Sequence, residues 1–534
     1  MNKRRNGYVR VMMVVLVVGF SGPGFSANFI VTNTQDTGPG SLREAIIQSN
    51  ANGEPDSILF NIPISDPGYQ ESIGVWTIRP IQTPWPSIGG TGLVIDGFSQ
   101  KRFIGYDINP FGPEIELSGR NMPEQDGLET SSGSVEINGM VINRFRTGIY
   151  LGRMESGKIA GCYVGTDPTG MRAEPNTLDG IILAHTCHVQ IVSYEEIKNV
   201  ISGNVRIGIF IADSSMNNLV AGCIIGLNRT GTDTLPNDTG IEIARQSNEN
   251  LLGKNIISGN LRWGIDITQS SMNFIEGNWI GTNFEYQSGL GNRNHGILIW
   301  MGSCQNTVIN NVIYFNYSGV VIGANTSYEN RVSWNSISNN TAKGIDNGNG
   351  GNRGIAPPVI TKVTASQVSG TAGPNQVVEV FSDEEDEGLT CLGADTADAS
   401  GNFAVTLAEP PQFPNVTATA TDENGNTSEF SRPFTSGVET DRIDGKPGTF
   451  SLSQNYPNPF NSGTSIHFSV KDKYAVKLTV YDLLGREITR LADGSYGPGE
   501  YRISFDASGL SSGLYLYTIE MGGFTAVRKM AVMK

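Results

Sequence analysis

A six-residue phrase recurs through the middle of this chain, and its recurrence limits the fold more than any other feature. It runs from Cys162 to Asp167, Asn199 to Asn204, Cys223 to Asn228, Asn255 to Asn260, Asn278 to Asn283, Asn311 to Asn316 and Asn335 to Asn340. Each copy has a polar or thiol residue, mostly two apolar residues, a short link, then Asn or Asp. Successive copies start 37, 24, 32, 23, 33 and 24 residues apart. A glycine and a β-branched residue follow each copy, at Gly180, Gly208, Gly240, Gly264, Gly296, Gly319 and Gly344. A period of roughly 20–50 residues marks a solenoid, in which one repeat cannot bury its own apolar face and must stack on the next. The apolar runs are short, β-branched and bounded by glycine, which excludes helical repeats.

The pattern therefore predicts coils of about 23 residues, stacked one strand spacing (~4.8 Å) apart so that every strand pairs with its equivalents in neighbouring coils. Equivalent positions form ladders. Asn199, Asn255, Asn278, Asn311 and Asn335 fall in one turn, and Asn204, Asn228, Asn260, Asn283 and Asn316 in another. Their amides can bond one another and tolerate tight bends. The corner glycines are expected to supply positive φ. Every second coil carries about nine extra residues, within 167–179, 228–239 and 283–295. Parallel crossovers are right-handed. The fold class is thus all-β, a right-handed parallel β-helix over 28–355.

Two small β-sandwiches are expected after it, over 356–435 and 450–534, with a Gly/Pro/charged linker at 436–449. At the other end, Lys3, Arg4, Arg5 and Arg10 precede an apolar run from Val11 to Phe20, which is too short to span a bilayer. Residues 1–27 read as a signal peptide, cleaved after Ser26 or Ala27, and no later segment is predicted to span a membrane.

The formal net charge of −15 argues against nucleic acid and anionic lipid as partners. The 5 cysteines are Cys162, Cys187, Cys223, Cys304 and Cys391, and an odd number leaves at least one thiol unpaired within the chain. Cys162 and Cys223 fall in one ladder slot two coils apart, beyond disulfide reach, and read as buried fillers. With 4 His and no C-x-x-C pair, the sequence has no zinc pattern. No cofactor is called for. The run from Asp383 to Glu387 has the carboxylates of a calcium site and equally the composition of a solvated loop.

Specific motifs add family resemblances. The segment from Ser41 to Ala45, with Ser41 as N-cap and Glu44 three later, predicts a short helix whose Leu42, Ala45 and Ile46 share a face. It resembles the SLREA segment that precedes many secreted bacterial β-helices of the pectate-lyase-like kind, although Gly40 stands where that motif usually has Cys. Residues 370–373, 377–383 and 422–431 resemble bacterial Ig-like repeats. Tyr456, Pro457, Asn458, Pro459 and Phe460, with Gly485, Gly513, Tyr515 and Lys529 following in order, resemble the C-terminal sorting domain of type IX secretion substrates. That resemblance implies passage through the type IX machinery and release from, or attachment to, the outer surface.

Two residues after each corner glycine the side chain is expected to point outward, at Tyr150, Ile182, Phe210, Glu242, Asp266, Leu298, Val321 and Asp346. Glu242 and Asp266 then sit on adjacent coils, close enough to share a proton, hold a cation or act as an acid/base pair. Arg262 and His295 join them as catalytic candidates. Arg245, Trp263 and Trp300 join as ligand contacts, the indoles as sugar-stacking faces. No polygalacturonase-like acid set, nucleophile motif or phosphate loop accompanies them. The leading reading is a monomeric, non-catalytic surface protein binding glycan or another surface ligand. The alternatives are a lyase, hydrolase or epimerase acting on an acidic polysaccharide, and a structural adhesin or stalk.

Overall fold

The computed structural model describes residues 27–533 other than 90, 194–197, 436–449, 462 and 508–509. The cleavage region before Ala27 and the linker at 436–449 lie outside the described residues. The chain divides into two compact units. One reaches to Phe210 and includes Ser215–Ile224. The other comprises Ile211–Ser214 and Ile225–Lys534.

In the first unit, parallel strands build coil on coil in three directions. Ala27–Val31 pairs in parallel with Asp56–Phe60, and the same sheet continues through Thr91–Asp96, Gly133–Asn138, Met154–Ala160, Val189–Val192 and Leu219–Ala221. A second sheet runs through Ile115–Ser118, Met140–Asn143, Tyr163–Val164 and Val200–Ile201. A third includes Leu128–Thr130, Ile149–Gly152 and Ile181–Ala184. The edge of the first strand is covered by a helix over Leu42–Asn52, with Leu42, Ala45 and Ile46 buried beneath it. Ser41 caps it, its Oγ accepting from Glu44 N at 3.3 Å, while the Glu44 carboxyl turns to Gln48 instead of closing a capping box.

Arg43 explains the charged position of the SLREA segment. It donates to Asp36 at 2.6 Å and to the carbonyls of Thr83 and Pro84, fastening the helix to a neighbouring loop. Burial alone would raise the Asp36 pKa, but bonds from Arg43 and from the N–H groups of Ile81 and Gln82 hold it below the usual value. Gly40 has φ +77, and a Cβ there would lie 2.2 Å from Thr32 Oγ1. The local backbone therefore suits glycine where the family motif has cysteine.

The second unit repeats the design with Leu251–Gly253, Phe274–Glu276, Thr307–Ile309 and Arg331–Ser333 in one sheet. Ile256–Ile257, Trp279–Ile280, Val312–Tyr314 and Ser336–Ser338 form the next. Thr239–Ala244, Ile265–Thr268, His295–Trp300, Ser318–Ile322 and Ile345–Asp346 form the third. Ile257, Ile280, Ile313 and Ile337 stack inside, each 0 or 1% exposed.

The Asn ladders hold these coils together, with two corrections to the sequence reading. Asn255, Asn278, Asn311 and Asn335 bond amide to amide at 2.9, 2.9 and 3.0 Å. In the other turn, however, Asn228 and Asn283 are not rungs. The rungs are Asn237, Asn260, Asn292, Asn316 and Asn340, bonded at 3.2, 2.9, 3.0 and 3.2 Å. The extra nine residues of a long coil enter before the rung, so the amide expected at Asn228 or Asn283 arrives at Asn237 or Asn292. In the first unit Asn176 likewise replaces Asp167 as the partner of Asn204, at 2.9 Å.

The second correction concerns the corner glycines. Gly240, Gly264, Gly296 and Gly319 do not have positive φ. A Cβ on each would lie 2.4–2.8 Å from the carbonyl oxygen of the equivalent glycine one coil on. The requirement is close stacking of backbones, not a left-handed bend.

A third ladder runs beside these two. Asn250, Asn273, Asn306 and Asn330 bond in series at 3.1, 3.1 and 3.0 Å, beside the serines 247, 270 and 303. Its signal was a Ser-x-x-Asn repeat, one per coil. In the first unit, Asn199 lies between Cys162 and Cys223 in the same slot, its Oδ1 accepting from Cys162 N at 2.8 Å and its Nδ2 3.8 Å from Cys223 Sγ. None of the five cysteines forms a disulfide.

Two antiparallel modules complete the second unit. Val359–Val363, Gln367–Thr371 and Asn402–Thr406 face Thr390–Thr396, Val377–Asp383, Asn415–Thr421 and Phe434–Thr435 around Val368, Val378, Val380, Phe403 and Val416. A second sandwich of three and four strands spans Ser451–Val532 around Ile466, Phe468, Leu478, Tyr517 and Ile519.

Candidate functional site

Strand alternation in the third sheet of the second unit places Ile241, Ile243, Ile265 and Ile267 inward, all 0% exposed, and their neighbours outward. Glu242 pairs in register with Asp266, Asp266 with Leu298, Leu298 with Val321, and Val321 with Asp346. The two carboxylates are therefore on adjacent coils. Outward does not mean exposed here: Asp266 is only 3% accessible, while Glu242 is half-buried. Asp266 Oδ1 accepts from Trp300 Nε1 at 2.9 Å and from Thr268 Oγ1 at 3.0 Å. Burial pushes its pKa up to about 6, against the opposing pull of those two bonds and of the Arg262 charge.

The other candidates take definite partners. Arg262 lies over the Trp263 ring at 4.0 Å and 3.7 Å from Asp238. Trp263 and Trp300 have ring centroids 6.3 Å apart, which puts both indoles beside the Asp266 rung. Arg245 pairs with Asp213 at 3.1 Å. Arg262 thus engages Asp238 and Arg245 engages Asp213, and the Arg262 charge also acts on Asp266. His295 pairs across strands with Ser318 and faces the Tyr317 ring at 6.3 Å; its Nδ1 is buried without a hydrogen bond, and burial lowers its pKa.

The long loops within 228–239 and 283–295 fold over a different sheet from this face. Asn228 Oδ1 accepts from Thr232 N and Asp233 N, closing its own loop. Asn283 donates to Gly231 O at 2.9 Å, tying the two loops together. Phe284 packs edge-on against Trp279 at 4.5 Å, and Tyr286 lies 5.9 Å from Tyr314. Both partners belong to the second sheet.

The Ig-like module contributes a feature without any local sequence signal. Its Glu387 takes the place of the next rung, Oε2 accepting from Asn340 N at 3.0 Å and from Asn340 Nδ2 at 3.4 Å. Glu379 accepts from Trp334 N at 2.8 Å and from Ser333 Oγ. Ile337 and Gly388 exchange backbone bonds of 3.0 and 2.8 Å. The acidic run that suggested calcium is thus partly spent closing the last coil. Burial pushes Glu387 up to about 8.

In the C-terminal sandwich the Tyr456–Phe460 motif clasps the last strand. Asn458 Oδ1 accepts from Ala531 N at 2.8 Å, Phe460 N donates to Ala531 O at 3.0 Å, and Met533 N donates to Phe460 O at 2.8 Å. Tyr456 itself is 81% exposed. Gly485 takes φ +78 in the turn closed by Asp482.

Residues 454–533 match the family described as secretion system C-terminal sorting domain. Residues 356–434 match the bacterial Ig domain, and residues 118–293 the family described as periplasmic copper-binding protein (NosD). No curated protein sequence matches the chain. Among solved structures, the A-module of the Azotobacter vinelandii mannuronan C-5 epimerase AlgE4 is 13% identical with a TM-score of 0.39, covering 60% of this chain and 91% of its own. Pectate lyase Pel9A is 16% identical with a TM-score of 0.30, covering 59% and 72%. The enzymatically active domain of bacteriophage CBA120 tailspike protein 4 is 10% identical with a TM-score of 0.28, covering 93% and 67%.

The sorting domain marks the chain for export by type IX secretion to the cell surface or beyond. No helix among the described residues is long and apolar enough to cross a membrane. Burial pushes the Cys162 and Cys223 thiols up to about 12, and no three His, Cys, Asp or Glu groups gather to hold a metal among the described residues.

Proposed function

We propose that this exported β-helix protein binds glycan or other surface ligands without turning them over, and that the face around Trp263 and Trp300 makes the contact. The observation that carries this reading is Asp266. Its carboxyl is buried and one oxygen is already held by Trp300 and Thr268, so it serves to position an indole rather than to reach a substrate. An acid or base must come within hydrogen-bond reach of the proton it moves. Two tilted indoles and Arg262, with the half-exposed Glu242 beside them, make a surface suited to stacking on a sugar ring. In this reading the chain comprises a signal peptide (1–27), the β-helix (28–355), an Ig-like module (356–435), a linker (436–449) and the sorting domain (450–534), and acts as a monomer.

A glycan array combined with reducing-sugar and unsaturated-uronate assays tests it. Binding without product is the expected result, with Trp300→Ala weakening binding. The second reading, a lyase, hydrolase or epimerase, is favoured by one observation: Asp266 at about 6 and in register with Glu242 has an acidity useful for proton transfer. Turnover that disappears in Glu242→Gln/Asp266→Asn would establish it. Deleting 450–534 should hold a folded protein in the periplasm, and unchanged levels outside would contradict its sorting role.

A further inference from the structure

A cleft of about 520 Å³ opens in the second unit, away from the Trp263–Trp300 face. Tyr286, from the loop after Trp279–Ile280, forms one wall. Tyr314, Phe315 and Asn339 of the coils form the floor, and Gln412 and Phe413 of the Ig-like module form the far wall. Its volume is in the range of small-ligand sites, roughly 300–1,000 Å³.

The cleft is built rather than incidental. Tyr286 stands at φ +57, a left-handed conformation that bulky residues rarely adopt, and the residue is 54% exposed. The loop holds it there. Asn283 Oδ1 accepts from Glu285 N and Gln287 N at 3.0 and 3.1 Å, Thr282 Oγ1 donates to Gln287 O at 3.0 Å, and Gln287 Nε2 donates to Thr232 O at 3.1 Å. Below, Tyr314 is fixed by a 2.5 Å bond with Ser336 Oγ, and its ring meets Phe315 edge-on at 5.9 Å.

The chemistry selects the occupant. No lining residue is charged. Amides and hydroxyls supply donors and acceptors, and the aromatic rings supply faces for C–H groups. The carboxyl groups within electrostatic reach of Tyr314 are Asp383 and Glu387, of which burial raises Glu387 to about 8, so that it adds its negative charge only as the pH rises through that value. Together with the net charge of −15, they disfavour a polyanion.

We propose that this cleft binds a neutral oligosaccharide, with Tyr286, Phe315 and Phe413 as stacking platforms and Asn339 and Gln412 directed to its hydroxyls. The assignment uses no residue of the other face. Calorimetry on the secreted protein, with cellohexaose, xylohexaose, mannohexaose and oligogalacturonate as probes, tests it. At least one neutral hexasaccharide should bind, and Tyr286→Gly and Phe413→Ala should each weaken it about tenfold or more, equivalent to ~1.4 kcal/mol. Glycine suits φ +57, so Tyr286→Gly removes the ring without endangering the loop. Absence of binding by every neutral hexasaccharide, equal or tighter binding of oligogalacturonate, or binding that survives both substitutions would overturn the proposal. Binding lost in Trp300→Ala but intact in Tyr286→Gly would move the sugar to the other face, leaving the earlier reading in place and this one refuted.

Discussion

The rungs at Asn237, Asn260, Asn292, Asn316 and Asn340 and the outward row at Glu242, Asp266, Leu298, Val321 and Asp346 climb the same coils under opposite rules. Every member of the first is the same residue, because an amide carries its donor and its acceptor on separate atoms and can offer one to each neighbour. Members of the second share only position. Backbone pairing already fixes their register, so side chains there are free to differ. Repetition therefore identifies what holds the molecule up, and departure from it identifies where the molecule can be specific.

The sharpest way to break this contrast is to place an aliphatic side chain in a rung. Asn278→Leu abandons the bonds of Asn278 with Asn255, Asn311 and Leu252 O, and should destabilise the protein by about 3 kcal/mol. Leu298→Asn, one sheet away, should cost far less. Chemical denaturation followed on both variants decides, and equal losses would erase the distinction.

The next effect is on pH. Glu387 is raised from 4.5 to about 8 by burial, so between these values the folded protein holds a proton that the unfolded chain has released. Stability should fall as pH rises through that window. Glu387→Gln, which mimics the protonated acid, should be nearly neutral at pH 5 and stabilising by on the order of 2 kcal/mol at pH 9. A gap between the two melting curves that does not widen with pH would contradict this.

A narrower window belongs to Asp266, raised from 3.8 to about 6. By the same sign, its contribution is present at low pH and lost as pH climbs to about 6. Asp266→Asn keeps an acceptor for Trp300 and should flatten that part of the profile, by about 1 kcal/mol. The smallest expected change is in Tyr286→Gly, where relief of positive φ and added chain freedom offset each other to within ~1 kcal/mol.

Much of this was legible in the sequence because a solenoid converts spacing into contact. The Asn255–Asn335 series, the Glu242–Asp266 register and the helix at Leu42 each follow from local pattern. The misreadings have physical causes. A nine-residue insertion can enter on either side of a rung without changing the period, so the spacing alone points to Asn228 and Asn283, whereas the rungs are Asn237 and Asn292. Glycine is required both where φ is positive and where backbones touch, and sequence does not distinguish Gly259, at φ +74, from Gly264, which faces a carbonyl 2.6 Å from its missing Cβ. The burial of Asp266 under Trp300 depends on rotamers, and the pairing of Glu387 with Asn340 spans 47 residues between unlike modules.

That last pairing makes the Ig-like module an end group in the sense a polymer chemist uses the term. A stack of coils is a chain growth that each new coil continues by offering an acceptor to the amide beneath it. At Asn340 the acceptor is a carboxyl oxygen, and at Ile337 the exposed strand edge is consumed by Gly388. Neither group presents a further amide to extend the series. Stripped of this module, the last coil would be a growing end, able to accept the edge of another chain. With it in place, propagation is terminated before the protein enters a crowded exterior, and the length of the column is set by sequence rather than by concentration.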